Sequence, residues 1–264
     1  MKNFKIYNQF YKNGYIIKNI EDLSSFKKIK DETTKIILKF LNIKKKPNFF
    51  LENLHQYVEY QKINSLRMRV YKIMNQKSWF QNAYFNLAKK TIEDLVGNEL
   101  AGQNSINFSF QFPYDKNSQL SLHADSLSGE SAFQVVLWVP LMSVYKSNSM
   151  YVSSKEDSIK SVHDIKNFSK HGMFKIYKNL RNKVNFLKIK KNQFLIFSPN
   201  LLHGNIVNKT KITRISMNAR YKNLFSPYNK DQNSFGKKLG YFYKPIGMKP
   251  VTKFALEFKI PDEF

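Results

Sequence analysis

The stretch Asn104-Ser105-Ile106-Asn107-Phe108-Ser109-Phe110-Gln111-Phe112-Pro113 decides the fold class, because apolar and polar residues alternate along it. Successive side chains of a β-strand point to opposite faces of the sheet. One face of this strand therefore packs against a core, and the other meets water or a ligand. Most of residues 24–95 space their apolar side chains as helices do, so we expect the main part of the sheet to begin here.

Two later segments have the same period of two residues. Segment 133–139 places its odd-numbered apolar residues on one face and Gln134, Val136 and Trp138 on the other. Segment 214–220 places Arg214, Ser216, Asn218 and Arg220 on one face. Such strands, with helices outside them, suit a double-sheet jelly roll that encloses a cavity. We predict a mainly β fold with flanking helices, a cupin-like double-stranded β-helix.

Candidate metal ligands lie beside these strands. His123-Ala124-Asp125 follows the first strand, and His203 follows a predicted buried strand that ends near Pro199. Two imidazoles and one carboxylate form the facial triad of non-heme Fe(II) oxygenases, which leaves the opposite metal positions open. The alternative for His123 is an ordinary strand histidine. Order and context favour a metal site, with His123, Asp125 and His203 as ligands and catalytic residues.

The polar strand faces supply further candidates. If they point into the barrel, they enclose Asn107, Gln111, Gln134, Arg214, Ser216, Asn218 and Arg220. Burying such groups is costly unless they meet partners, and a metal with a dicarboxylate supplies them. The alternative is that these faces are the solvated outside. We favour the cavity, with Asn107, Gln111, Gln134, Arg214, Ser216 and Arg220 as candidate cosubstrate-binding residues.

These residues resemble those of the Fe(II)/2-oxoglutarate-dependent dioxygenases, particularly the phytanoyl-CoA-hydroxylase-like branch and the similar oxygenases of bacterial carbohydrate gene clusters. The likeness lies in 123–125, 133–141 and 203–216, and segment 10–17 resembles that family's opening strand. Many members then have a Pro-Gly-Ser-His loop where this chain reads Tyr151-Val152-Ser153-Ser154. The substrate of the best-known members therefore cannot be carried over.

The resemblance implies an enzyme that uses Fe(II) and 2-oxoglutarate. The 1-carboxylate and 2-oxo group would chelate iron, while Arg214 and Ser216 would hold the 5-carboxylate. Arginine suits this role because its planar fork binds a carboxylate through two hydrogen bonds. Reaction with dioxygen would release succinate and CO2 and would hydroxylate or oxidise a small molecule. The likeness to carbohydrate-cluster enzymes favours carbohydrate biosynthesis, with a sugar or nucleotide-sugar substrate.

Two other functions stay open. Residues 214–220 resemble, in spacing, the Arg-x-Asn-x-Thr-x-Arg strand of alkylation-repair nucleic-acid demethylases, although the gap from His203 to Arg214 better suits the phytanoyl-like branch. Arg220 would then bind cosubstrate. Otherwise it holds an anionic part of the substrate or pairs with an internal carboxylate. A non-catalytic jelly-roll binding module should lack a ligand or the arginine, and neither is missing.

Composition restricts the partners. The net charge is +25, but the excess is almost wholly Lys, with Arg only at 67, 69, 181, 214 and 220. Nucleic-acid sites favour Arg for bidentate contacts, so we predict no nucleic-acid partner, while an anionic small substrate is compatible. The absence of Cys excludes thiolate ligands and disulfides. No apolar run is long enough for a membrane span, and we expect a cytoplasmic protein.

We expect one domain over 1–264, with a strand and helices in 1–100, a jelly-roll core in 101–222 and a C-terminal wrap in 223–264. Helices are predicted from Ser24-Ser25 to Pro47, over 51–74 and over 80–95. An insertion at about 153–188 is a candidate lid. It holds His163 and His171, which we interpret as surface residues.

Overall fold

The computed structural model describes residues 2–164, 176, 180, 183–228, 239–255 and 257–258. The helices are α1 Lys2–Asn13, α2 Leu23–Phe40, α3 Ile63–Asn75, α4 Phe80–Asn86, α5 Lys89–Val96, α6 Lys155–Asp164 and α7 Pro250–Ala255. The strands are β1 Tyr15–Asn19, β2 Leu100–Gln103, β3 Asn107–Gln111, β4 Gln134–Pro140, β5 Tyr151–Val152, β6 Asn185–Phe186, β7 Gln193–Phe197, β8 His203–Gly204, β9 Arg214–Asn223 and β10 Tyr243–Gly247. Within the described ranges, no helix combines the length and the apolar character that a membrane span requires.

The strands form two antiparallel sheets. The larger has the order β1-β7-β4-β9-β2-β10, with β3 also pairing with β9, and the smaller has the order β6-β5-β8. The long strand β9 is central, because β4 pairs along one side of it while β2 and β3 share the other. Two facing antiparallel sheets with helices outside form the predicted double-stranded β-helix, so the fold class is confirmed.

Each face of the larger sheet packs against a different layer. The even-numbered apolar residues of β3 and its flanks are buried with residues of α2 to α5 in one large core. The opposite face contributes Val136, Trp138, Leu195 and Phe197 to a second core with Met150 and Val152. The alternation read from the sequence therefore separates the helix side of the sheet from the side that faces the small sheet.

The opening segment differs from its prediction. Residues 10–13 end α1, and the strand begins only at Tyr15. The N–H of Gly14 donates to the carbonyl of Phe10 at 2.7 Å, and Gly14 has a φ of +73°, the left-handed conformation that commonly ends a helix. β1 then pairs with β7 at the edge of the larger sheet.

The predicted helices exist with different limits. α2 is capped by Asp22, whose carboxylate accepts from the N–H of Ser25 at 3.0 Å, and it ends at Phe40, before Pro47. Residues 51–62 form short 3-10 turns, and α3 begins at Ile63. The predicted third helix is two helices, because Glu21 accepts from the N–H groups of Lys90 and Thr91 and caps α5 separately.

Three other expectations concern single segments. Phe133 precedes β4 and is 60% exposed, so it does not belong to the apolar strand face. The tail predicted as a wrap contributes β10, which pairs with β2, and α7. In the insertion, α6 and β6 are described, while His171 and residues 165–175, 177–179 and 181–182 of the candidate lid lie outside the described residues, as does the His163 side chain.

Candidate metal centre

Backbone pairing brings the two histidines together. The N–H of His123 donates to the carbonyl of His203 at 2.9 Å, and the reverse bond is 2.8 Å. This bridge extends the small sheet beyond β8 and places the two ring centroids 4.3 Å apart. Asp125 begins a 3-10 turn directly afterwards, so the chain turns its carboxylate towards both rings.

The ligand atoms of His123, Asp125 and His203 converge. Oδ1 of Asp125 lies 3.5 Å from Nε2 of His123 and 3.8 Å from Nε2 of His203. One ligand atom from each residue lies within 4.8 Å of the others. Ligands bound about 2.0–2.2 Å from one metal ion lie roughly 3 Å apart, so small side-chain shifts would close this site.

Hydrogen bonds to backbone carbonyls orient both imidazoles. Nδ1 of His123 donates to the carbonyl of Ser121 at 2.8 Å, and Nδ1 of His203 donates to the carbonyl of Leu201 at 2.8 Å. When Nδ1 carries the proton, the Nε2 lone pair is free to bind a metal. Both histidines therefore present Nε2 to the same point.

The surroundings of His203 and Asp125 favour the protonation states in which these two buried residues can bind a metal. Burial lowers the pKa of His203 to about 4, so its imidazole is neutral at neutral pH. Burial opposes ionisation of Asp125, but the hydrogen bond with His123 and the charge of Arg220 hold its pKa well below the usual range. A neutral imidazole and an ionised carboxylate are the forms that ligate.

Arg220 holds the other oxygen of the metal-site carboxylate. Its guanidinium donates to Oδ2 of Asp125 at 2.9 Å, and its Nε lies 3.4 Å from Oε1 of Glu130. Glu130 in turn accepts from the hydroxyl of Tyr243 at 3.1 Å, and that hydroxyl also bonds to Gln134. This buried chain of contacts leaves Oδ1 as the oxygen that faces the histidines.

Arg214 occupies a different buried environment on the same face of β9. It is 3% exposed, and burial lowers the pKa of its guanidinium to about 10, so it stays charged at neutral pH. Its N–H groups lie 3.3 Å from Oγ of Ser109 and 3.5 Å from the carbonyl of Asn148, and no carboxylate pairs with it among the described contacts. The guanidinium carbon of Arg214 lies over the ring of Trp138, 5.9 Å from the ring centroid.

Several buried polar atoms around Arg214 lack hydrogen-bond partners. Within the described residues these atoms include Nε of Arg214, Oγ of Ser216, Nδ2 of Asn148 and Oγ of Ser149. All can donate a hydrogen bond, and buried donors normally have acceptors. A ligand with a carboxylate would satisfy this cluster, so the residues present fit the predicted dicarboxylate.

The other candidate residues make protein contacts. Gln134 belongs to the Tyr243 and Glu130 cluster, Asn107 donates to Asn218 at 3.0 Å, and Gln111 donates to the carbonyl of Ile206 at 2.7 Å. Gln111 and Gln134 are buried, so the solvated-outside alternative is wrong for these positions. The register places Gln111 opposite Arg214, Asn107 opposite Asn218 and Gln134 opposite Lys222 of β9.

Sequence reasoning missed four residues of this environment. Glu130, Tyr243, Asn148 and Ser149 contact or adjoin the arginines, but they come from a turn, a late strand and a loop far apart in the chain. No local period marks them. The departure from the family loop begins at Tyr151, after Asn148-Ser149-Met150, and is the sequence signal nearest to two of them.

Comparison with known proteins supports the fold. No protein-family model matches the chain, and no curated protein matches it. Among solved structures, the nickel complex of ThoJ, described as a non-heme monooxygenase, is 14% identical over 96% of this chain and 93% of that one, with a TM-score of 0.55. EctD from S. alaskensis, solved in its apoform, is 14% identical over 84% of this chain and 77% of that one, with a TM-score of 0.55. The chain therefore has the fold that its sequence resemblance implied.

Proposed function

We propose that this chain is an Fe(II)/2-oxoglutarate-dependent dioxygenase that hydroxylates or oxidises a small molecule, with release of succinate and CO2. The observation that carries this proposal is the triad of His123, Asp125 and His203. Its carboxylate contacts Arg220, which shares one face of β9 with the buried Arg214. The substrate we favour is a carbohydrate or a nucleotide sugar. The likeness to ThoJ, a non-heme monooxygenase solved with nickel, supports a metal-dependent oxidation on this fold.

The residues of the chain would hold and orient the reacting groups. Iron with 2-oxoglutarate supplies the oxidative chemistry when bound, while the protein fixes geometry. His123, Asp125 and His203 would hold the metal on one side. Arg214 would pair with the distal carboxylate of the cosubstrate through two N–H groups, and Ser216 and Asn148 would add hydrogen bonds from the same side.

Arg220 is a positioning residue in this scheme. Its guanidinium contacts the carboxylates of Asp125 and Glu130, so it fixes which oxygen of Asp125 faces the metal. An arginine engaged by two carboxylates has little remaining capacity to bind a cosubstrate. We therefore assign the cosubstrate to Arg214 and the orientation of the triad to Arg220.

The first prediction tests the metal centre. Anaerobic addition of Fe(II) and 2-oxoglutarate should produce the weak visible charge-transfer band of the chelate, with one iron per chain. His123→Ala and His203→Ala should abolish the band, because each removes one of three protein ligands. His55→Ala is the control, since His55 contacts Thr213 and lies outside the triad.

Two outcomes would count against the proposal. If the triad variants bind iron as well as the parent does, the metal site is wrong. If iron and 2-oxoglutarate bind but succinate never forms with any substrate in a broad panel, the chain is better described as a binding module.

A further inference from the structure

A cleft lies along β3, next to the segments that lead to His123 and away from His203. It encloses about 630 Å³ and runs between the start of α3, the edge of β3 and the segment before His123. Small-molecule sites commonly measure roughly 300–1,000 Å³. Ser109, which lines the cleft, also accepts a hydrogen bond from Arg214, so the cleft reaches the wall of the proposed cosubstrate site.

The far wall of the cleft continues the ladder that carries the metal ligands. The N–H of Asn205 donates to the carbonyl of Leu120 at 2.9 Å, and the N–H of Leu120 donates to the Asn205 side chain at 2.6 Å. His203 and His123 lie two and three residues away along these segments. At about 3.3 Å per extended residue, the metal ligands are within roughly 10 Å of the cleft wall.

The charge of the cleft differs from that of the rest of the molecule. The chain has 44 basic and 19 acidic residues, yet among the described residues the cleft lining contains one cation, Arg67, and one carboxylate, Asp115. A second cleft of about 430 Å³ beside α2 shows the usual surface instead, with Lys35, Lys39, Lys44 and Lys46 against Asp31. Charge balance at the first cleft favours a neutral ligand over a phosphorylated one.

The polar groups in the cleft are held in place. Asp115 accepts from the hydroxyl of Tyr60 at 2.5 Å and from the N–H of Asn117 at 2.8 Å. Arg67 donates through Nε and a terminal nitrogen to the side chain of Asn64. These contacts reduce the conformational freedom that a ligand would otherwise have to restrict on binding.

The lining has the chemistry that recognises hydroxyl groups. A hydroxyl both donates and accepts hydrogen bonds, so a polyhydroxylated ligand needs donors and acceptors side by side. Arg67 supplies donors and Asp115 supplies acceptors, while Gln61, Asn64 and Gln119 supply both. Tyr60 is 48% exposed and offers an aromatic surface to the C–H face of a sugar ring.

We propose that this cleft binds a neutral saccharide, which makes a sugar without a phosphate the substrate class. This inference rests on the proposed oxygenase function for its biological meaning, but binding itself requires no metal. It also decides between the two substrates favoured above, because a nucleotide sugar carries a diphosphate, whereas the described residues of the lining include a single cation.

Saturation-transfer NMR tests the cleft directly. The probes are glucose, galactose, maltose, lactose and sucrose, with glucose 6-phosphate and uridine diphosphate glucose as charged counterparts. Gln119→Trp should fill the cleft with an indole ring, and Gln56→Trp is the matched control, because Gln56 is also exposed but does not line the cleft. His203→Ala separates saccharide binding from metal chemistry.

We expect transfer to at least one neutral saccharide in the parent, in Gln56→Trp and in His203→Ala, and loss of this transfer in Gln119→Trp. The proposal is overturned if no neutral saccharide responds, if the phosphorylated probes respond more strongly, or if transfer survives Gln119→Trp. A parent that binds saccharides but forms no succinate would remove the proposed function and leave the cleft in place.

Discussion

Arg214 and Arg220 share one face of β9, but their surroundings differ. Arg220 is paired with two carboxylates, whereas the contacts of Arg214 are a hydroxyl and a carbonyl. A buried guanidinium without a carboxylate is costly, because its charge is removed from water without compensation. Of the two arginines, Arg214 would therefore contribute more binding free energy to an anionic ligand.

A conservative substitution separates the two arginines. Arg214→Lys should weaken the binding of 2-oxoglutarate about tenfold or more, because the positive charge remains while the bidentate contact with the carboxylate is lost. Iron binding without cosubstrate should change little. Arg220→Lys should instead weaken iron binding, because Asp125 loses its orienting partner. Titrations of Fe(II) and of 2-oxoglutarate measure both effects, and a cosubstrate defect confined to Arg220→Lys would reverse our assignment and strengthen the demethylase hypothesis.

At the residue scale, the sequence predicts the ligands better than their neighbours. His123, Asp125 and His203 were predicted because a metal requires those residue types in a restricted arrangement, and the structure brings them together. Glu130 contacts Arg220, and Tyr243 contacts Glu130 and Gln134. Their role depends on tertiary contacts between distant segments, so no spacing in the sequence indicates it.

At the element scale, β9 carries a further buried cation. Lys222 is fully buried beyond Arg220 on the same strand, and its ammonium donates to the carbonyls of Ser226 and Pro227. The ring of Tyr228 lies 3.2 Å from Nζ. Lys222 therefore ties the segment after β9 back onto the sheet, while burial lowers the pKa of the Lys222 ammonium to about 7.

This lysine should give stability a pH dependence. Unfolded Lys222 keeps its proton to its ordinary pKa of 10.5, whereas the folded form loses it near pH 7. Between these values the unfolded chain binds more protons, so the free energy of unfolding rises with pH. The Tm of the parent relative to Lys222→Met should therefore increase from pH 7 to pH 10. Lys244→Met, at an exposed position of β10, is the control. The difference in Tm between the parent and Lys244→Met should stay constant from pH 7 to pH 10.

The opposite result has a definite meaning. If the difference between the parent and Lys222→Met stays constant over this pH range, the two carbonyls and the Tyr228 ring hold the proton against the cost of burial. The lysine would then stay charged in the folded protein.

The elements also show why strands were predicted more accurately than helix limits. The predicted alternation of apolar and polar residues is present in β3 and β9, because each strand lies between two different layers along its whole length. The break between α4 and α5 depends on Glu21, which lies far from both helices in the sequence. The spacing of apolar residues is unaffected by such a cap, so the sequence predicts one continuous helix.

At the scale of the whole molecule, charge is the feature most easily misread. The surplus of +25 could indicate nucleic acid, but Arg214 is buried and Arg220 is paired with two carboxylates. The described lining of the cleft along β3 has balanced charges. The lysines of the second cleft instead lie on α2 and the segment after it, on the helical part of the chain. This lysine-rich cleft and the candidate site therefore lie on different surfaces.

This separation predicts weak and nonspecific binding of nucleic acid. Contacts between lysines and phosphates release counterions, so any oligonucleotide affinity should fall steeply with salt and become negligible at physiological ionic strength. Methylated and unmethylated oligonucleotides should bind equally, and neither should stimulate succinate formation, because a surface patch reads no base. Fluorescence anisotropy across a salt series, with a succinate assay on the same oligonucleotides, measures both quantities. Tight binding that resists salt, or turnover of a methylated base, would replace the saccharide hypothesis with nucleic-acid demethylation at the same metal centre.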